Sequence, residues 1–185
     1  MPDSVTLLDS ASDAINSWEP LTDREASAQN EFRTWLAHGQ DVLTRHPLRT
    51  HLTASTFVFD DELRRLLLLF HGKGGFWVQP GGHLEDGDDS LKAAALREVE
   101  EETGLSPAQL QGIRVADLDH HELSGSFGHC SSHLDIGVVA LTAGTPPVRS
   151  SEESKHIGWF DVDDLPSPLP PGFTERLAGI RRRLH

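Results

Sequence analysis

Residues 81 to 105, GGHLEDGDDSLKAAALREVEEETGL, constrain the fold more than any other part of the chain. The stretch LKAAALREVEEE consists almost entirely of strong helix formers, and acidic residues precede it, where the helix dipole favours them. Gly104 occupies the position expected of a helix C-cap. We therefore predict a helix that begins near Ser90, ends at Gly104 and follows directly on a glycine turn.

Three glutamates of this helix repel one another. Glu98, Glu101 and Glu102 lie three and four residues apart, and each like-charge contact of this kind costs roughly 0.2–0.5 kcal/mol in an isolated helix. A solvated acidic face is the ordinary explanation for such a run of charge. The preceding glycine turn favours another explanation, because a turn carbonyl and converging carboxylates form an all-oxygen site suited to a hard divalent cation.

Helical and strand patterns alternate along the rest of the chain. Thr22 and Glu25 form the pattern of a capping box, which predicts a helix that ends by Pro47. Residues 1–21 are polar with scattered apolar positions, and we expect a loosely structured arm there. We predict strands at residues 52–60, 65–70, 76–80, 113–123, 133–142 and 155–162, and a closing helix from Phe173 to Leu184.

Charge and composition exclude several classes of protein. The net charge of −13 disfavours a stable complex with nucleic acid, because the phosphate backbone would be repelled. The chain has no sustained apolar stretch and no basic leader, so neither a membrane span nor a secretory signal is indicated. Cys130 is the single cysteine, which fits a reducing compartment. We therefore expect a soluble, cytoplasmic protein.

The glycine turn and the glutamate helix together resemble the Nudix box, the signature of hydrolases that act on nucleoside diphosphates linked to another group. That signature reads glycine, five residues, glutamate, seven residues, Arg-Glu, an aliphatic residue, any residue, Glu-Glu, any residue, glycine and an aliphatic residue. The matching positions in this chain are Gly82, Arg97, Glu98, Val99, Glu101, Glu102, Gly104 and Leu105.

The chain departs from the signature in the loop before the helix. Asp88 stands where the family has its first glutamate, and eight residues rather than seven separate it from Arg97. We place the extra residue between Asp88 and Leu91, at the junction of loop and helix, because an insertion there leaves the spacing of the glutamates unchanged. The metal-binding helix is then intact, and the support that the first glutamate gives comes from a shorter side chain.

The resemblance also implies a fold and a division of the chain. It implies an α/β/α sandwich around a mixed β-sheet, with the helix of the box on one face. Residues 1–50 would form an N-terminal arm and helix, and residues 51–185 the Nudix hydrolase domain. The face formed by Phe32, Trp35 and Leu36 could then act as a lid, form the contact of a homodimer or pack onto the domain.

The same resemblance implies a metal site. Glu98 and Glu102 would bind Mg²⁺ or Mn²⁺ directly, Glu101 would bind directly or through water, and the Gly82 carbonyl would complete the protein's share. Arg97 would orient a neighbouring glutamate, although a surface ion pair is the ordinary interpretation of such an arginine.

The general base is open between two regions. Family members differ in whether a glutamate of the box or one on a later loop takes the proton from water, and the later candidates here are Glu152 and Glu153. A solvated loop is the simpler interpretation of that pair. The catalytic candidates are therefore Arg97, Glu98, Glu101 and Glu153.

Trp77 and His133 are the candidates for substrate binding. Trp77 lies beside the glycine turn and could stack on a base, although core packing explains a tryptophan there equally well. Nothing separates His133 from an ordinary polar residue on a strand. The chain has no tyrosine, which dinucleoside polyphosphate hydrolases of the family often carry after the box. We expect a small molecule linked to a nucleoside diphosphate, with its identity open.

A looser group of chemically active residues follows the box. Its members are His120, His121, His129, Cys130 and His133, and their spacings are not those of a common structural zinc motif. We interpret them as loop or substrate-side residues, with zinc binding as the less favoured alternative.

The leading hypothesis for function is metal-dependent hydrolysis of a diphosphate linkage by attack of water on phosphorus. The alternative is a catalytically inactive Nudix-like module that binds nucleotides or regulates. Replacement of any of Glu98, Glu101 or Glu102 would favour that alternative, and none is replaced. An isopentenyl diphosphate isomerase-like enzyme of the same fold would need a reactive cysteine near the start of the domain, whereas Cys130 follows the box.

Overall fold

Four helices and a seven-stranded sheet make up the regular structure of the computed structural model, which describes residues 6–123, 130–151 and 154–184. Short 3₁₀ helices add single turns at Gly39–Leu43 and Pro107–Gln109. The helices are α1 (Leu7–Ser17), α2 (Asp23–Leu36), α3 (Leu91–Thr103) and α4 (Phe173–Leu184). The strands are β1 (Thr50–Asp60), β2 (Arg65–His71), β3 (Phe76–Val78), β4 (Gly81–His83), β5 (Gln111–Glu122), β6 (Ser132–Thr142) and β7 (Ser154–Asp161).

The sheet is mixed, with β1 at its centre. Its main path runs β3-β2-β1-β6-β5, while β4 pairs with β1 and β7 pairs with β2. Strands β1 and β6 are parallel, and the other pairs are antiparallel. Nearly every residue of β1 is buried, because helices cover both faces of the sheet at this strand.

The two faces of β1 pack against different helices. Leu52 and Ala54 point into one core, which is shared with α1, α2 and α3. Phe57 and Phe59 point into another core, where they meet α4. This alternation follows from the two-residue period of a strand and gives helices on both sides of the sheet. The predicted α/β/α sandwich around a mixed sheet is confirmed.

The helix of the glutamates lies where the sequence predicts it. The Ser90 hydroxyl accepts a hydrogen bond from the Ala93 amide and caps the N-terminus of α3. Gly104 ends the helix with φ of 73°, a left-handed conformation that glycine adopts without strain. Asp88 and Asp89 precede the cap, so the extra residue of this segment lies in the loop and leaves the helix regular.

The prediction of a loosely structured arm over residues 1–21 is wrong, because α1 occupies Leu7–Ser17. Thr6 and Asp9 form a capping box at its start, and Ile15 is fully buried. The Gln29 side-chain amide of α2 donates to the carbonyl of Ile15 at 2.7 Å, which ties the two helices together. Packing of its apolar face against α2 and the sheet therefore stabilises this short helix.

The N-terminal helices pack onto the domain. Phe32 of α2 is fully buried in the core that contains Leu52, and Trp35 and Leu36 pack against the edge of that core. Of the three roles open to this face, packing is the one that the structure shows. Among the described helices, none combines the length and the apolarity needed to span a bilayer.

Candidate active site

The glycine turn and the glutamate helix are in direct contact. The Gly81 amide donates to Oε2 of Glu102 at 2.8 Å. A Cβ atom on Gly82 would lie 2.6 Å from Oε1 of Glu98, so only glycine leaves room for that carboxylate. Strand β4 is held in place by antiparallel pairing with β1, where Gly82 lies opposite Ala54. The structure thus brings Gly82, Glu98 and Glu102 together at the end of β4.

Arg97 links the loop, the strand and the helix. Its Nε and Nη2 atoms each donate to one oxygen of Asp88 at 3.0 Å, and Nη2 also donates to the His83 carbonyl at 2.9 Å. Its Nη1 atom donates to Oε1 of Glu98 at 2.9 Å and to Oε2 of Glu101 at 3.2 Å. Asp88 therefore reaches Arg97 despite its shorter side chain, and Arg97 contacts two glutamates of α3.

Burial and neighbouring charges shift the pKa values of Glu98 and Arg97. Burial raises the pKa of Glu98, the contacts with Arg97 oppose that rise, and the nearby carboxylates of Glu101 and Glu85 add to it. The hydrogen bonds to Asp88 hold the pKa of Arg97 above its ordinary value. Glu101 is exposed, whereas Glu98 is mostly buried. A cation bound here would relieve the repulsion, and the donors are the oxygens that Mg²⁺ and Mn²⁺ prefer.

The two residues predicted to bind substrate lie in different surroundings. Trp77 is partly buried and packs edge-on against Phe70 and Phe160, with ring centroids 5.5 and 4.8 Å away. His133 lies among other imidazoles, 5.1 Å from the ring centroids of both His51 and His83. The predicted base candidates Glu152 and Glu153, and also His129, lie outside the described residues.

A buried ion cluster around Arg176 was not indicated by any sequence motif. The arginine, on α4, donates to Asp117 at 2.7 Å and to Asp135 at 2.8 Å, and lies 3.4 Å from Asp119. Burial raises the pKa of Asp117. Burial alone would also raise the pKa of Asp135, but Arg176 and the neighbouring donors lower it. The sequence did carry one signal for this cluster. It was the placement of acidic residues at alternate positions of a strand that packs against a helix.

The hydroxyls of β1 extend this polar face of the sheet. Thr53 and Ser55 donate to the two oxygens of Asp135 at 3.0 and 2.6 Å, and the Gln79 side chain donates to the Ser55 hydroxyl at 3.0 Å. Asp135 thus has a partner for each of its oxygens, which explains how an acid can be stable in this position.

Three histidines and the cysteine meet next to this face. One potential ligand atom from each of His51, His83, Cys130 and His133 lies within 4.8 Å of the other three. Burial and nearby cationic or imidazole groups lower the pKa of His51 and His83 to about 4 and that of His133 to about 3. Each ring carries one buried nitrogen without a hydrogen-bond partner among the described residues, a state that costs about 1–3 kcal/mol per group.

The sequence patterns indicated only half of this group. Cys130 and His133 were recognised as neighbours in sequence, while His120 binds Glu31 and Ser132, and His121 binds Asp119. His51 and His83 join through the sheet register, in which β1 pairs with both β6 and β4. No short-range spacing carries that information.

Comparison with known proteins agrees with this architecture. The family model described as the NUDIX domain matches residues 49–184. The uncharacterized Nudix hydrolase YvcI of Bacillus subtilis is 35% identical over 115 residues, which are 58% of this chain and 66% of that protein. A putative 8-oxo-dGTP diphosphatase 3 of Mycobacterium tuberculosis is 32% identical over 117 residues, 61% of this chain and 50% of that protein. The chain thus spans half to two thirds of these relatives.

A solved structure shows the same fold. The NUDIX domain of Shewanella oneidensis NrtR, in complex with ADP ribose, superposes with a TM-score of 0.60 at 20% identity and covers 72% of this chain and 88% of that chain. At this identity the likeness concerns the fold. The family model matches most of the chain, and the glycine turn and the glutamate helix agree with that match. The chain belongs to the Nudix hydrolase family.

Proposed function

We propose that this chain hydrolyses the diphosphate linkage of a nucleoside diphosphate derivative in a metal-dependent reaction. The observation that carries the proposal is the contact of the Gly81-Gly82 turn with Glu98 and Glu102. This contact brings the carboxylates of Glu98 and Glu102 against the backbone of one turn, which a merely solvated acidic helix would not require. Membership of the Nudix hydrolase family supports the reaction class.

The metal in this proposal is Mg²⁺ or Mn²⁺, held by Glu98, Glu101, Glu102 and the Gly82 carbonyl. The residues fit such an ion, because their donors are all oxygens and because Glu98 carries a raised pKa that a bound cation would reverse. When bound, the ion would neutralise phosphate charge and acidify water. The positive charge of the ion would offset the repulsion between a polyanionic substrate and a chain of net charge −13.

The protein's own residues position the reacting groups. Arg97 fixes the carboxylates of Glu98 and Glu101, and Asp88 in turn fixes Arg97 with two hydrogen bonds. We propose Arg97 as a positioning residue and Glu98 or Glu101 as a base within the box. Glu153, on the later loop, is the second candidate to accept the proton of the attacking water.

The substrate is a nucleotide derivative. The M. tuberculosis relative is named as a putative 8-oxo-dGTP diphosphatase, and the NrtR domain was crystallised with ADP ribose, which supports a nucleoside diphosphate group as the common element. Trp77 remains a proposed contact for the rest of the substrate, whereas His133 lies against the imidazoles of His51 and His83. A cytoplasmic location and the absence of a stable nucleic-acid complex stay predictions from the cysteine count and the negative charge.

The test is release of products from a panel of nucleoside triphosphates, dinucleotides and nucleotide sugars, with Mg²⁺ or Mn²⁺ and with a chelator. The chain is compared with Glu102→Gln, and with Glu100→Gln as the matched control. Glu100 is exposed on the same helix, so its variant removes the same charge away from the turn. We expect metal-dependent turnover that only Glu102→Gln abolishes. Binding without turnover across the panel would support the inactive, regulatory module.

A further inference from the structure

A second group of metal-ligating side chains lies outside the carboxylate site. It consists of His51 on β1, His83 on β4, His133 on β6 and Cys130 just before β6. Their potential ligand atoms lie within 4.8 Å of one another. His51 lies directly opposite His133 in the parallel pair of β1 and β6, and His83 stacks on His51 with ring centroids 5.0 Å apart. The pairing of three strands, which is independent of any ligand, therefore assembles the group.

We propose that His51, His83, Cys130 and His133 form a zinc site that holds β1, β4 and β6 together. Three imidazoles and one thiolate are ligands for zinc, which prefers nitrogen and sulfur donors and four-coordinate tetrahedral geometry. The hard cations expected at the glutamates prefer oxygen, so the two groups select different ions. Four protein ligands leave no open position, and such a closed site is structural rather than catalytic.

Unpartnered nitrogens at the group are the second observation. Nδ1 of His51, Nε2 of His83 and Nε2 of His133 are buried and make no hydrogen bond with any residue in the described part of the chain. His51 is completely buried. Its other nitrogen, Nε2, lies 3.9 Å from Sγ of Cys130, its one polar contact there. Polar atoms are rarely left in this state, so each of these three imidazoles has unused binding capacity.

The distances between the potential ligand atoms are close to those in a tetrahedral zinc site. Zinc bonds of about 2.0–2.1 Å to nitrogen and 2.3 Å to sulfur place the donors of a tetrahedral site with one sulfur about 3.3–3.6 Å apart. The group spans at most 4.8 Å, so small rotations of the side chains bring it into range. Cys130 is only partly buried, which gives an ion a way in.

Arg45 competes for the same place. Its Nη2 atom donates to Nδ1 of His83 at 2.8 Å, and its positive charge lowers the pKa of both His83 and His51. A neutral imidazole that accepts from arginine carries its proton on the other nitrogen, so His83 binds zinc only when Arg45 withdraws. Arg45 is exposed. We therefore expect Arg45→Gln to bind zinc about tenfold more tightly, because it removes both the competing donor and the charge.

The experiment measures zinc content and cobalt spectra of the intact chain. After incubation with zinc and removal of excess metal, we expect one zinc ion per chain. Replacement by Co²⁺ should give the near-ultraviolet band of a cobalt–thiolate bond and the visible bands of a tetrahedral ion. Cys130→Ser should abolish the thiolate band, and both Cys130→Ser and His133→Asn should weaken zinc binding by about 100-fold or more.

The control variant is His121→Asn. Its ring lies 5.6 Å from that of His133, yet it binds Asp119 and is not one of the four ligands, so zinc content should not change. The double variant Glu98→Gln, Glu102→Gln should also retain its zinc, so loss of the proposed hydrolase activity and loss of this site are separate results.

Two outcomes would overturn the proposal. One is zinc affinity that is the same in the intact chain, Cys130→Ser and His133→Asn. The other is a cobalt spectrum without a thiolate band in the intact chain, a measurement that needs no variant and so does not depend on any variant folding.

Discussion

Gly82 and His83 are adjacent on β4, yet they belong to two different sites. Gly82 lies opposite Ala54 and faces the carboxylate of Glu98 on α3. His83 lies opposite Thr53 and faces the imidazole of His51. Successive residues of a strand point to opposite faces of a sheet, so one short strand serves a group of oxygen donors and a group of nitrogen and sulfur donors.

The two regions differ in donor type, in connection and in exposure. The oxygen donors come from one helix and the turn before it, and Glu101 is exposed, which leaves room for a substrate. The nitrogen and sulfur donors come from three strands and a loop, and His51 is completely buried. A helix can thus present a reactive site from residues close together in the sequence, whereas a sheet assembles a closed site from distant segments.

The largest expected effect separates the carboxylate site from the rest of the acidic helix. Glu102→Gln removes the charge of a proposed metal ligand whose carboxylate accepts from the Gly81 amide. We expect turnover to fall on the order of 10³-fold, because a metal ion supplies several kcal/mol of transition-state stabilisation. Steady-state kinetics measure this, with Glu100→Gln as the matched control. Equal losses in the two variants would mean that overall helix charge, and not this site, matters.

The next effect tests the space between the turn and the helix. Gly82→Ala places a Cβ atom 2.6 Å from Oε1 of Glu98, so the carboxylate must move. A displacement of about 1 Å at a reacting centre can lower the rate about 100-fold. Gly87→Ala is the control, because a Cβ there meets no atom within 4 Å. Unchanged turnover in Gly82→Ala would contradict the role of the turn.

A smaller effect concerns the residue that departs from the Nudix signature. Asp88→Asn keeps the shape of the side chain but weakens its two hydrogen bonds with Arg97. We expect about a tenfold fall in turnover and a higher metal concentration for half-maximal rate, as is typical when support of a metal ligand is lost. Asp89→Asn provides the control in the same loop, since Asp89 is exposed. A change in the substrate KM alone would argue against a positioning role.

The smallest effect on turnover is expected at the histidine group. Cys130→Ser should lose zinc but change turnover less than about twofold at temperatures where the chain stays folded, because the sheet separates Cys130 from the glutamates. The loss should lower thermal stability instead, since an ion at 100 times its Kd stabilises the folded state by about 2.7 kcal/mol. Calorimetry with and without zinc measures this. A large fall in turnover without a change in stability would mean that the histidine group and the glutamates act as one site.

Some features of the fold and of the site could be predicted from the sequence. The helix from Leu91 to Thr103 and its glutamates could be predicted, because local spacing and capping residues determine them. The position of the extra residue before the helix stays a prediction, and the structure shows that Asp88 and Asp89 lie ahead of the cap Ser90. Interactions between residues close together in the sequence were sufficient to predict the helix.

Other features depend on contacts between distant residues. Arg176 lies 41 residues or more along the chain from the acids that surround it, and His51 lies more than 30 residues from His83 and more than 80 from His133. The helix α1 was also not predicted, although Thr6 and Asp9 form a capping box, because its stability comes from packing on α2. Sheet register and tertiary packing decide these features, and a single sequence does not reveal them.

The most direct test of the account locates the ions themselves. Crystals grown with Mn²⁺ and Zn²⁺ would be measured at the absorption edge of each metal, and anomalous difference maps would then distinguish the two elements. We predict manganese beside Glu98 and Glu102 near the Gly82 carbonyl, and zinc between His51, His83, Cys130 and His133 on the opposite face of the sheet. Manganese absent from the glutamates while present elsewhere, or both metals at one position, would contradict the account.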